Sequence, residues 1–428
     1  MKKIFALSFI AVGYFLHAQS IGNSPYAAFG IGDVKFDNTI ETSSMGGIST
    51  AYISDFTSSF NFGNPANNGN FDLTSIKVEA TNENNYFKTN YENMKATKHS
   101  TYLSNISLAF PVSPKVKVGL AYQPYSSKSY DIVRTSQFSN STTNPTSQVN
   151  HFTGSGSLNT FQIAVGYKVT PEFSLGAKAN YYFGDLHDKD EFTITGAELI
   201  NGYETINKIR TFNFTLGASY QALMKMDHKL TFGATTTFGN TKNPTTQYTN
   251  STYFLDANGE KANETIIEQI NTKTKNLIPF QASIGAGYGE ENRWFISGQF
   301  DYKKAEDVFY FGRSLDMKDS YRLAAGGWWL PNYNNFRNYF SRVVYRYGAY
   351  YEKGSLVLAD KSINEFGVTF GALFPFKNSS VTRMSGLELG VELGKRGTTQ
   401  NNLINQNFIN LKIGLNFADK WFRKQLYN

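Results

Sequence analysis

From about residue 70 to its end, this chain repeats a two-residue alternation too often for any architecture but strands. Phe173, Leu175, Ala177, Ala179, Tyr181 and Phe183 alternate with Ser174, Gly176, Lys178, Asn180 and Tyr182. Near the C-terminus Ile409, Leu411, Ile413, Leu415 and Phe417 alternate with Asn410, Lys412, Gly414 and Asn416. Period two sends the two sets to opposite faces of a strand. The second set is small and polar, so that face does not join a dry core. A membrane barrel satisfies both sets, with the apolar face toward lipid and the polar face toward the lumen. It also reconciles a negative mean hydropathy with 16% aromatic residues and 36 glycines. A β-sandwich shares the period. The glycine-rich second face, the asymmetry of the connections and the aromatic stripes favour the barrel.

Fourteen such stretches lie near residues 70–81, 101–111, 115–133, 152–169, 173–186, 208–222, 229–239, 276–289, 293–304, 319–330, 341–353, 361–375, 385–395 and 407–418. The even number suits a bacterial single-chain barrel. Short connections such as 112–114, 170–172, 223–228 and 290–292 alternate with long ones at 82–100, 134–151, 187–207, 240–275 and 305–318. Short turns belong to the periplasmic side and long loops outside. Segment 331–340 is long for a turn. Trp294, Tyr302, Trp329, Tyr345, Tyr347 and Tyr351 fall on the lipid-facing parity, and those near strand ends suit interfacial girdles. The expected fold is thus all-β: an antiparallel transmembrane barrel of about fourteen strands over residues 70–428, with an N-terminal segment in its lumen.

The chain starts Met1-Lys2-Lys3, runs apolar from Ile4 to Leu16, and continues His17-Ala18-Gln19. A basic start, a short apolar core and a small residue read as a signal peptide over 1–18, cleaved after Ala18. The run is too short to span a bilayer as a helix. Without Lys2 and Lys3 the net charge of +7 falls to +5. No dense basic run with interleaved aromatics marks a nucleic-acid partner. No cysteine is present, so the backbone ladder and packing must hold the chain together.

Nothing in the sequence assembles an enzyme site. His99, His151, His187 and His228 show no metal-ligand spacing, and no serine–histidine–acid arrangement can be placed. Gly285-Ala286-Gly287-Tyr288-Gly289 ends a strand rather than opening a helix, so it lacks the phosphate-loop context. Asp256-Ala257-Asn258-Gly259-Glu260 lacks the later glutamate and flanking helices of a calcium loop and reads as a loop-tip turn. No cofactor or metal is expected. The lumen says more. Parity turns Arg322, Arg342, Arg346, Glu365, Glu388 and Glu392 inward on neighbouring strands. The expectation is a salt-bridge network that neutralises a filled lumen and holds the N-terminal segment, or else greets a ligand head group.

Residues 19–69 hold Met45-Gly46-Gly47, the stretch Ala51 to Asp55, and Asn64-Pro65-Ala66 just before the first strand. Such a polar, glycine-rich segment is either disordered or folded back into the lumen. With these motifs and the strand count, the chain resembles the FadL family of outer-membrane transporters of hydrophobic compounds. The resemblance implies a plug or hatch over 19–69, ligand entry from outside and exit through the wall. It transfers no ligand residue, because no motif marks the pocket. An uptake barrel would present an apolar pocket built with aromatics such as Phe29, Phe36 and Phe56. The alternative is a non-transporting subunit of a secretion or outer-membrane assembly complex, comparable to the PorV shuttle of type 9 secretion, with a sealed lumen. The end of the chain, Leu415 and Phe417 followed by Trp421 and Phe422, resembles the signal read by the barrel-assembly machinery. Its basic tail resembles that of many Bacteroidota barrels. Expected partners are outer-membrane lipid, the assembly machinery and other complex subunits.

Overall fold

The computed structural model describes residues 24–35, 39–56, 59–137, 147–194, 196–274, 277–310, 313–315, 317–335, 337–377, 379 and 384–420. The signal stretch 1–18, Phe36, Trp421 and Phe422 lie outside them.

Among the described residues, fourteen antiparallel strands close into a ring. They are β1 (Thr74–Thr89), β2 (Lys95–Pro111), β3 (Val116–Ser127), β4 (Ser147–Lys168), β5 (Phe173–Ile194), β6 (Ile200–Leu223), β7 (His228–Thr237), β8 (Gln281–Glu290), β9 (Trp294–Lys303), β10 (Ser320–Trp329), β11 (Val344–Lys353), β12 (Glu365–Pro375), β13 (Gly386–Gly397) and β14 (Ile404–Asp419). Each pairs with its successor in the ring, and β14 returns to β1 from Thr74↔Asp419 to Thr89↔Ile404. Closure pairs every wall strand on both sides, which the hydrocarbon layer demands. Side chains follow the alternation. On β14, Leu411, Ile413, Leu415 and Phe417 face outward and are exposed, while Asn416 is buried; on β1, Val78 and Tyr86 face outward while Lys77, Glu79, Thr81 and Glu83 are buried inside.

The ring is uneven in height. Strands β8 to β11 have 10 residues each, whereas β4, β5 and β6 have 22, 22 and 24. About 9–11 residues cross a bilayer, so the surplus stands clear of it. The outward face marks the crossing point: on β5 it reads Phe173 to Phe183, then Asp185, His187, Lys189 and Glu191. Segments 187–207 and 240–275, expected as loops, are therefore mainly strand. The upper ends of β5 and β6 pair from Asp185↔Lys208 to Phe192↔Asn201. A hairpin of Thr245–Leu255 and Lys261–Lys273 adds to β6. On the other side Tyr130–Gln137 adds to β4. The result is a six-stranded sheet rising from one side of the long-loop end, the end that faces outside in bacterial barrels.

Between β2 and β3 the ladder is shorter, running only from Ile106↔Tyr122 to Pro111↔Lys117. Above it, β3 instead pairs with Asp33–Val34 of the N-terminal segment. That segment contacts inner faces around the ring. A short helix, Ile40–Ser43, is capped by the Thr39 side chain, and a 3-10 turn, Pro65–Asn68, is capped by Asn64.

Candidate functional site

The site with the densest chemistry is the contact between the N-terminal segment and the inner wall. At its centre lies Glu41, whose side chain is 2% exposed. Its Oε2 lies 3.1 Å from Lys77 Nζ on β1, and its Oε1 lies 3.3 Å from Arg346 Nη2 on β11. Glu388 on β13 meets the same two cations at 3.3 and 3.7 Å. Tyr52 donates to Glu41 at 2.6 Å, and Ser59 also donates to it. Two carboxylates and two cations thus share one buried site. Each charge is costly to bury alone and tolerable only with its partners.

The backbone is held as closely. Gly46 N–H donates to Thr369 Oγ1 at 2.8 Å, and its carbonyl accepts from Arg322 Nη2 at 2.7 Å. Gln299 Oε1 accepts from the N–H groups of Ser49 and Thr50 at 2.8 and 2.9 Å. Gly46 and Gly47 have φ of +72° and +82°, a region that favours glycine. The wall is hollowed to match: a Cβ at Gly348 would fall on Gly46 N, and one at Gly326 on the Met45 carbonyl. Asn64 donates to the carbonyls of Thr50 and of Ala218 on β6 at 2.7 and 3.2 Å. A Cβ at Gly176 would meet Pro65 and the Ala66 nitrogen. Met45, Gly46, Gly47, Asn64, Pro65 and Ala66 are therefore all in contact with, or bonded around, the lumen wall.

The six lumen charges read from parity occupy four places. Arg346 and Glu388 join Glu41. Arg322 lies against Gly46 and 3.5 Å from Asp301. The Tyr350 hydroxyl lies 2.7 Å from Glu365 and 2.8 Å from Glu392, within hydrogen-bonding distance of both; Arg396 lies 3.8 Å from Glu365 and Lys412 3.1 Å from Glu392. Arg342 differs from its strand assignment. It ends the 3-10 turn Tyr339–Arg342, below β11, and donates to the Tyr333 hydroxyl at 3.1 Å. That turn is capped by Asn338, whose side chain accepts from the Phe340 N–H at 3.1 Å. Glu41, Lys77 and Gln299 were not singled out in the sequence. Lys77 and Gln299 lie on inward parity and were legible in principle. Glu41, in an irregular segment, carried no periodic signal.

Nearer the outside, Arg396 Nη1 lies 2.7 Å from Asp33, Lys35 lies 2.9 Å from Asp33 and 2.7 Å from Glu83. Burial alone would raise the Asp33 carboxyl, but Lys35 and Arg396 outweigh it and bring it down to about 2.

A cavity of ≈ 390 Å³ lies between the segment and the upper wall. Phe29 lines it, yet so do Lys178, Lys303, Arg322, Glu352 and Glu365. Phe56 is elsewhere: its ring is 5.0 Å from that of Trp328. There it joins Met45, Ile48, Tyr52, Leu330, Tyr333, Leu373 and Met384 in one packed apolar cluster toward the periplasmic end. The structure does not bring Phe29 and Phe56 into one pocket. Leu415 and Phe417 face outward on β14.

A family model described as BamG matches residues 1–428. No curated protein matches. Among solved structures, the toluene transporter TodX of Pseudomonas putida is 13% identical with a TM-score of 0.54, over 91% of this chain and 99% of that one. The toluene transporter TbuX of Ralstonia pickettii is 12% identical with a TM-score of 0.55, over 88% and 97%. A FadL homologue of Pseudomonas aeruginosa is 11% identical with a TM-score of 0.52, over 87% and 98%. At such identities the likeness establishes the fold: a FadL-type outer-membrane barrel.

Proposed function

The chain belongs to the BamG family, and from that premise we propose that it serves as a partner-binding barrel subunit of an outer-membrane assembly complex. The observation that supports this reading is how tightly the N-terminal segment is bound to the inner wall. The N-terminal segment is keyed to the wall by a buried four-charge site and by backbone bonds to Thr369, Arg322 and Gln299. In this reading it is a permanent plug. The segment's Met45, Ile48, Tyr52 and Phe56 also pack with Trp328 and its neighbours in one apolar cluster. The space above it is lined by charges such as Arg322, Glu365 and Arg396 and also by Tyr26, Phe29 and Phe408, a mixed surface rather than a purely apolar pocket. The family name hints at the barrel-assembly machinery, in accord with a subunit role. On this reading residues 1–18 direct export and are cleaved.

A second reading, uptake of small hydrophobic compounds, draws support from the fold shared with TodX and TbuX. Depletion of the protein in its own host separates the two. A subunit role predicts a fall in the folded fraction of other outer-membrane barrels, read by heat-dependent gel mobility. Normal barrel assembly, with loss only of growth on an apolar carbon source, overturns it in favour of uptake.

A further inference from the structure

One row of inward side chains crosses the upper wall at a single register level, and its charges do not balance. Cα pairing runs from Asp301 on β9 through Arg322 on β10, Glu352 on β11, Glu365 on β12 and Arg396 on β13 to Gln406 on β14. All six line the ≈ 390 Å³ cavity. Three carboxylates thus stand beside two guanidinium groups. The signs alternate from strand to strand until β11 and β12, where Glu352 is directly opposite Glu365. Like charges so placed are unfavourable. Asp301 has Arg322 at 3.5 Å, and Glu365 has Arg396 at 3.8 Å. Glu352 has no such counterpart. Among the described residues its side chain accepts only from the Ser320 hydroxyl, at 3.4 Å, and pairs with no lysine or arginine. Arg322, its register partner, instead donates to the Gly46 carbonyl and lies over the Tyr350 ring. Lys303 is taken by Glu306 and Lys412 by Glu392.

A carboxylate on a cavity wall, facing a second carboxylate and lacking a cation, is a place for a cation from outside the chain. The cavity is of the size that takes small molecules. A calcium ion needs about six to eight oxygen ligands. Here the lining adds the rings of Tyr26, Phe29 and Phe408, which suit a carbon body. An ammonium group has three N–H donors and no acceptor, and aromatic faces attract it. We propose that this cavity binds a small primary ammonium compound, with its nitrogen on Glu352 and Glu365 and its carbon body against Tyr26 and Phe29. Glu352 supplies the main contact, because Glu365 also has Arg396 and the Tyr350 hydroxyl. A neutral hydrocarbon would leave Glu352 without a cation, and a carboxylate ligand would add a further like charge. The inference goes beyond the subunit reading and does not depend on it.

The test is calorimetric titration of the full purified barrel in detergent with three probes of similar shape: 2-phenylethylamine, 2-phenylethanol and 3-phenylpropanoate. Sodium and calcium chloride serve as ion controls. The expected result is saturable binding of the amine and none of the carboxylate. The alcohol should bind about tenfold or more weakly than the amine, the scale of one hydrogen bond to a charged group. Glu352→Gln should weaken the amine by a similar factor and leave the alcohol unchanged, with unchanged heat-dependent mobility verifying the barrel. The comparison of amine with alcohol in the unaltered protein decides the matter even where the variant does not fold. Equal affinity for amine and alcohol would overturn the inference in favour of an apolar pocket. Amine binding undiminished in Glu352→Gln would overturn it by placing the cation elsewhere. Saturable sodium or calcium binding that excludes the amine would overturn it in favour of an inorganic ion. No amine binding would overturn it outright. Each of these results leaves the subunit reading intact, because that reading is tested by barrel assembly in the host.

Discussion

At the scale of single residues, the account depends on the site shared by Glu41, Lys77, Arg346 and Glu388. Arg346→Ala leaves Lys77 alone between two buried carboxylates. Breaking a buried pair from one side costs about 3–5 kcal/mol. The expected outcome is a lower unfolding midpoint and protease cleavage within 39–56; unchanged values for both would remove the network from the account. Gly348→Val tests the hollowed wall. Its side chain would overlap the backbone at Met45 and Gly46, and overpacking costs about 1–3 kcal/mol. The ring should still form while limited proteolysis detects a displaced segment. Asp33 supplies the pH dependence. Its folded pKa, about 2, lies below the unfolded value of about 3.9. Its contribution, about 2–3 kcal/mol, is therefore present above pH ~4 and lost as the pH falls toward 2. A fluorophore on the segment should report loosening in that window, and Asp33→Asn should make the transition smaller. The inward charges on β10 to β13 were legible because parity survives in any regular strand. Arg342 was not, because the chain turns before β11 begins. Glu41 was not, because no period governs an irregular segment.

At the scale of elements, all fourteen wall strands follow from the alternation, because lipid on one side and lumen on the other enforce it. Their upper extensions do not. Beyond Phe183 the outward face meets water and becomes charged, so the hydropathy pattern ends while the ladder continues. That is why 187–207 and 240–275 read as loops. The same reasoning yields a prediction. Replacing residues 241–274 with a short flexible linker removes a hairpin that β6 does not need for closure, since β5 and β7 already flank it. Barrel unfolding, read by heat-dependent mobility, should be unchanged. A large drop in barrel stability would mean that the hairpin belongs to the folding unit.

At the scale of the whole molecule, the FadL-type ring and the charged inner face, which binds the N-terminal segment, point in different directions, and they do so for a physical reason. Ring closure is set by the outward pattern and the ladder, which many functions can share. What the interior admits is set by the inward face, and here that face binds its own N-terminal segment. The most direct measurement is the mass of the particle that carries this 48.0 kDa chain when extracted gently from its own membrane. The account predicts a stoichiometric assembly with other outer-membrane proteins and no apolar molecule in the lumen. A solitary barrel that carries a bound hydrophobic compound would contradict it.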